Sequence, residues 1–252
     1  FPYYYKNSWS WVLAAGDVDS DGYKEIITQK GVIDIENGIP NLKWNNAATY
    51  IYRPISIADV NNDGKIELFY VDCNDALYLT DSIGNLLSGW PHYNEYGYIP
   101  ISGGVIADIN NDGYSEIFVD FLEKYNRDLY ELKVFNFNGS YFQGFPNLEE
   151  SGIGDNLIID DINNDRKLEL IFSDYKGNIY VWDLNSTYNP STMDWPQFQH
   201  DPQHTGCYDC DKPKPLPGLT AYYMFNNDAK DSSGMGNNGV IYGSPQFIAN
   251  PL

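Results

Sequence analysis

Basic residues are scarce in this chain of 252 residues: 15 lysines and arginines stand against 35 aspartates and glutamates, a formal charge of −20. So acidic a surface repels phosphate, which argues against nucleic acid and anionic membrane surfaces as partners and leaves cations as the natural complement. There is no apolar run long enough for a membrane-spanning helix, and no basic-then-apolar leader; a secretion signal would lie outside this sequence. Three cysteines are too few for a disulfide scaffold, so packing or bound metal must supply the stability. The histidines are only His92, His200 and His204, and no GxSxG elbow, P-loop or Rossmann glycine pattern occurs. Nothing points to catalysis, and the expectation is a non-enzymatic protein.

Helix-forming Leu/Ala/Glu/Lys runs are missing too. In their place are 22 Tyr, 12 Phe and 6 Trp, a bias toward β-structure, within a hydrophobic content of 42% that suffices for a core. The conspicuous acidic stretch is GDVDSDGYKEIIT, which gathers Asp17, Asp19, Asp21 and Glu25 around Gly22. It recurs as ADVNNDGKIELFYVD (Asp59, Asn61, Asp63, Gly64, Glu67), ADINNDGYSEIFVD (Asp108, Asn110, Asp112, Gly113, Glu116) and DDINNDRKLELIFSD (Asp161, Asn163, Asp165, Glu169). The spacing makes each unit a supersecondary module rather than a domain.

Every unit has the same surroundings. A short apolar stretch precedes the loop (SWVLAAG, RPISIAD, GGVIADI, DNLIIDD) and another follows its Glu (EIIT, ELFYV, EIFVD, ELIFS). An alternating stretch comes next (GVIDIENG, ALYLTDSIGN, LYELKVFNFNG, GNIYVWDLN), with NG and GN marking hairpins. Junctions containing proline close the units at Gly89–Pro91, Gly144–Pro146 and Asp194–Pro196. About four strands per repeat is the content of a β-propeller blade, so the fold class expected is all-β, with four blade-like repeats. The opening Phe1-Pro2 reads as the tail of another such junction, cut from a longer parent.

Counting the first Asp of each loop as position 1, oxygen-bearing side chains at 1, 3, 5 and 9, with glycine at 6, suit Ca²⁺, a hard ion that takes six to eight oxygens. The carbonyl at position 7 (Tyr23, Lys65, Tyr114, Lys167) adds another. The alternative is an acidic, solvated turn. An EF-hand needs a bidentate Glu at position 12, where Thr28, Tyr70, Val119 and Phe172 stand, and a dockerin continues into a helix; here β-type sequence follows. The fourth loop has Arg166 in place of glycine, which weakens the expectation there.

With these four loops the chain resembles the FG-GAP or VCBS repeats of integrin-α-like β-propellers over about residues 1–206. The resemblance implies structural calcium tying one hairpin per blade, and an extracellular, secreted or cell-surface module for adhesion, recognition or scaffolding, with a protein or glycan ligand. Such propellers usually have more than four blades, so ring closure within this chain, within a longer parent or through neighbouring chains all stay open. Two other roles fit the same repeats: an accessory module of a secreted hydrolase, and a self-associating subunit of an extracellular filament.

Residues 194–206 resemble the segment that often ends such repeat regions. Residues 207–217 read as a Cys/Pro linker, and residues 218–252, with AYY.F and DSSG.GNNG, resemble the start of a laminin-G-like jelly roll. His200, His204, Cys207 and Cys210 form HxxxHxxCxxC, read as a Cys207–Cys210 disulfide or, alternatively, a zinc site. Cys73 is expected as a buried core thiol. Tyr3, Tyr4, Tyr5, Trp44, Trp90 and Tyr93 are expected to serve blade packing ahead of ligand stacking. Asn138 and Asn185 sit in glycan sequons at expected turns.

Overall fold

The computed structural model describes residues 13–36, 39–45, 51–93, 97–123, 130–143, 153–174, 177–201, 205–208 and 238–240. The chain divides into two units, residues 1–208 and 209–252. Within the second, Asn238, Gly239 and Val240 are exposed coil; the jelly-roll expectation otherwise falls outside the described residues.

The first unit is all-β, with one antiparallel sheet per repeat. Strands β1 (Leu13–Gly16), β2 (Glu25–Thr28), β3 (Gly31–Glu36) and β4 (Ile39–Asn45) form the first sheet in that order. The second is β5 (Ser56–Ala58), β6 (Glu67–Val71) and β7 (Leu77–Asp81). In the third, β10 (Glu116–Glu123) pairs along its length with β8 (Tyr98–Pro100) and β9 (Val105–Ala107), and on its other side with β11 (Tyr130–Phe135). The fourth is β12 (Ile153–Asp160), β13 (Lys167–Asp174) and β14 (Ile179–Thr187). The apolar stretches on either side of each acidic loop are the first and second strands of these sheets, and the alternating stretch is the third. A full fourth strand is present in the first sheet, whereas the second has isolated bridges at Leu86 and His92 and the third has one at Tyr141.

The first strands lie side by side, β1 next to β5, β5 next to β9, and β9 next to β12. They are the most buried parts of the chain because each is covered on both faces: β5 and β9 have no exposed residue. Two apolar clusters fill the space between sheets. One joins the first three through Ile27, Ile57, Phe69 and Ile106; the other joins the third and fourth through Phe118, Leu132, Ile159 and Leu170. Each such side chain contributes about 1.5–3 kcal/mol on burial. Backbone crowding shows how closely sheets two and three approach. A Cβ on Gly103 would stand 2.2 Å from the Pro54 carbonyl oxygen, and Ser56 Oγ lies 2.9 and 2.8 Å from the carbonyl oxygens of Gly103 and Gly104.

Aromatics are spent on the same contacts. Trp90 packs on Phe69 and Phe135, and its Nε1 donates to the Phe137 carbonyl at 2.8 Å. Trp44 meets Tyr70, which stacks on Tyr78. Tyr93 is exposed, and Tyr3, Tyr4 and Tyr5 lie outside the described residues.

After β14 a 3₁₀ turn (Pro190–Thr192) leads into a segment that crosses the inner strands. Trp195 bridges Ile106 of β9, Gln197 bridges Ile158 of β12, and Cys207 pairs in parallel with Ala15 of β1, held by Ala15 N–H to Gly206 O at 2.8 Å and Tyr208 N–H to Ala15 O at 2.9 Å. Trp195 is buried, and Tyr208 packs over Gly16. These pairings place Cys207 and Tyr208 with the repeats.

The cysteines and sequons depart from expectation in part. Cys73 is an exposed free thiol, because the strand ends at Val71 and Cys73 falls in the following turn, which Asp72 holds by accepting from Asn74 N–H and Ala76 N–H. Cys207 is disulfide-bonded, so it has no thiolate to offer zinc; Cys210 and His204 lie outside the described residues. Asn138 sits in a hairpin turn, but Asn185 lies within β14, exposed and with φ of 53°.

Candidate metal centre

Each acidic loop connects the first and second strands of its sheet, in the same register. The residue before position 1 pairs with the position-9 glutamate: Gly16 with Glu25, Ala58 with Glu67, Ala107 with Glu116, and Asp160 with Glu169. The glutamate therefore begins a buried strand while the aspartates occupy the exposed turn above it.

One hydrogen-bond pattern folds all four loops. Position 1 accepts the N–H of position 6 through Asp17, Asp59, Asp108 and Asp161 at 2.9, 2.9, 3.0 and 2.9 Å. Position 3 accepts the N–H of position 5 through Asp19, Asn61, Asn110 and Asn163. Position 5 accepts the N–H of position 7 through Asp21, Asp63, Asp112 and Asp165. The glutamate turns one oxygen back to the N–H of position 2, at 2.8, 3.0, 3.0 and 3.1 Å. So tight a coil needs left-handed residues at positions 4 and 6: Ser20, Asn62, Asn111 and Asn164 have φ of 55–63°, while Gly22, Gly64, Gly113 and Arg166 have φ of 89°, 84°, 90° and 69°. A Cβ on Gly22 or Gly64 would touch nothing, so glycine serves conformation there, not space. The side chains of Tyr23, Lys65, Tyr114 and Lys167 at position 7 are turned toward solvent, leaving only backbone for the loop.

Burial sets the electrostatics. Glu25, Glu67 and Glu116 have 0%, 2% and 1% exposure. Desolvation pushes their carboxyls up to about 7, 8 and 8, with the loop aspartates adding repulsion and the position-2 N–H opposing it. Asp59 is raised as well, first by burial. Three carboxyls that resist ionisation are what a set of oxygen ligands looks like when no cation compensates it.

The oxygens do not converge equally. In the third and fourth loops an amide NH₂ reaches the second glutamate oxygen, Asn110 Nδ2 to Glu116 Oε1 at 3.4 Å and Asn163 Nδ2 to Glu169 Oε1 at 3.1 Å. In the first loop Asp19 stands at that position, and Glu25 Oε1 is buried with no hydrogen-bond partner. There Asp17, Asp19 and Asp21 each bring an oxygen within 4.8 Å of the others, and Asp21, Glu25 and Asp34 do the same. Asp34, in β3, escaped the sequence reading, as did Lys43 in β4, whose Nζ lies 2.7 Å from Asp19 and 3.1 Å from Asp34. The available signal was an aspartate in the middle of the apolar run GVIDIENG. All donors here are hard oxygens, and the orphaned Glu25 oxygen fits a cation of the calcium type.

The hairpin placement and the shared loop geometry bring a known repeat to mind, and comparison with protein families identifies one. Residues 59–119 match the FG-GAP-like repeat. The FG-GAP-like match begins at position 1 of the second loop and ends in the strand that follows the third. No curated protein matches the chain.

Proposed function

We propose that the repeat unit is a non-catalytic, calcium-stabilised, β-propeller-like module that acts outside the cell in adhesion or recognition. The observation that carries this reading is the same buried-glutamate hairpin loop built four times, within a region that matches the FG-GAP-like repeat. Positions 1, 3, 5 and 9 with the position-7 carbonyl would hold the ion in each loop. The ion would supply the positive charge that the buried carboxylates lack. Extracellular calcium is abundant enough to keep even weak loops filled. The inner strands take their register from these hairpins, so calcium would act on the order of the whole unit.

A thermal melt tests this in excess calcium, in chelator, and with magnesium. One site at about 100 times its dissociation constant adds about 2.7 kcal/mol, so several filled loops should raise the midpoint by many degrees with calcium and far less with magnesium. Equal midpoints in all three would leave the loops as acidic turns.

A further inference from the structure

The four loops share a pattern, but the position opposite the glutamate on the third strand does not. The register Ile26↔Ile33, carried one residue further, sets Asp34 across from Glu25; Glu67 pairs with Asp81 and Glu169 with Asp183. Asp81 and Asp183 are engaged by their own hairpins: Asp81 accepts the N–H groups of Ile83 and Asn85, and Asp183 accepts that of Asn185. Asp34 is 1% exposed, its Oδ1 has no hydrogen-bond partner, and its Oδ2 faces the Lys43 ammonium. Glu25, fully buried beside it, has its own orphaned oxygen. Two buried carboxylates thus aim at one point beside Asp21, under the first loop.

We infer that the first sheet carries a cation position of its own, formed by Asp21, Glu25 and Asp34, that the Lys43 ammonium is its internal counter-ion, and that a divalent cation binds there by displacing Lys43. The inference rests on the calcium reading of the loops and adds to it a strand-borne ligand and a built-in competitor. Five carboxylates, Asp17, Asp19, Asp21, Glu25 and Asp34, surround one ammonium, so the cluster stays strongly anionic with Lys43 in place. The Lys43 side chain is 29% exposed on a flexible stem, so its head can leave for water without disturbing the core. A hydrated monovalent ammonium reaches Asp19 and Asp34 but not the Glu25 oxygen, whereas a divalent ion among the three carboxylates would meet all of them.

Calorimetric titration of the whole chain with calcium chloride tests this, using Lys43→Met, Asp34→Asn, the double variant, and Asp63→Asn in the second loop as a control. Lys43→Met should tighten one site by about tenfold without changing the number of sites, Asp34→Asn should weaken that site by about tenfold, and the double variant should lose most of the gain. A second readout needs no variant: labelling of lysine amines in the unaltered chain, resolved by mass spectrometry, should become severalfold faster at Lys43 when calcium is added. Calcium binding that Asp63→Asn weakens, with titrations insensitive to Lys43→Met and Asp34→Asn and unchanged Lys43 labelling, overturns this inference and leaves the loop reading standing. Absence of calcium binding in every variant overturns both.

Discussion

Replacing Glu67 by glutamine should stabilise the ion-free chain and destabilise the calcium-loaded one. Glu67 is 2% exposed, and its carboxyl is pushed from 4.5 up to about 8 by burial, with Asp59, Asp63 and Asp81 adding repulsion. A folded-state pKa above the unfolded one means that the unfolded chain loses its proton first, so folding stability is full below about pH 4.5 and drains away as pH rises toward 8. One pH unit is worth about 1.4 kcal/mol, and even half of that displacement comes to about 2 kcal/mol at pH 8. Glutamine keeps a carbonyl for the Val60 N–H and removes the charge. Without calcium, Glu67→Gln should gain about 2 kcal/mol at pH 8 and under about 1 kcal/mol at pH 5. With calcium at 100 times the dissociation constant, it should instead lose about 2.7 kcal/mol, the contribution of one site. Urea denaturation at both pH values, with and without calcium, measures all four quantities. A variant destabilised equally under every condition would refute the argument, because it would mean that Glu67 acts only through its packing and the Val60 bond.

The same reasoning extends to the parent chain: in chelator its midpoint should fall from pH 5 to pH 8 as Glu25, Glu67 and Glu116 are forced to ionise, and saturating calcium should flatten that slope. Arg166→Gly should stabilise the ion-free chain by about 1 kcal/mol, since a φ of 69° strains any residue with a Cβ, and denaturation will show it. Gly103→Ala should cost about 3 kcal/mol or more, because the new Cβ meets the Pro54 backbone, whereas Gly64→Ala, with open space around it, should cost only about 1 kcal/mol in the ion-free chain. Cys73 should react with a thiol reagent in the folded protein, and Cys73→Ala should abolish that reaction.

What could be read from sequence was what repeats. The acidic loop and its flanking apolar stretches occur four times, so one correct reading of Asp59–Glu67 carried over to the others, and the hairpin register agrees in all four. Features that occur once were not legible. Asp34 sits where Asp81 and Asp183 sit, but its orphaned oxygens depend on Lys43 of a different strand. Cys73 looked like a strand residue because ELFYVDC stays apolar past Val71, and only the turn held by Asp72 exposes it. The missing full fourth strand in later sheets has the same origin: after the third strand each repeat goes its own way in sequence, so no pattern was available to carry across.

The segment from Trp195 to Tyr208 changes how the unit must come apart. In a linear array each repeat touches only its neighbours, so unfolding can begin at an end and spread inward. Here backbone bonds from one short stretch reach β9, β12 and β1 together, and the last residues to leave a ribosome pair with nearly the first. The clasp makes fraying from the first sheet costly and should turn denaturation into a single cooperative event. It also delays folding until synthesis is nearly done, because contacts so distant along the chain form slowly. A protease that nicks the chain just before Trp195 would thereby unlock three sheets with one cut.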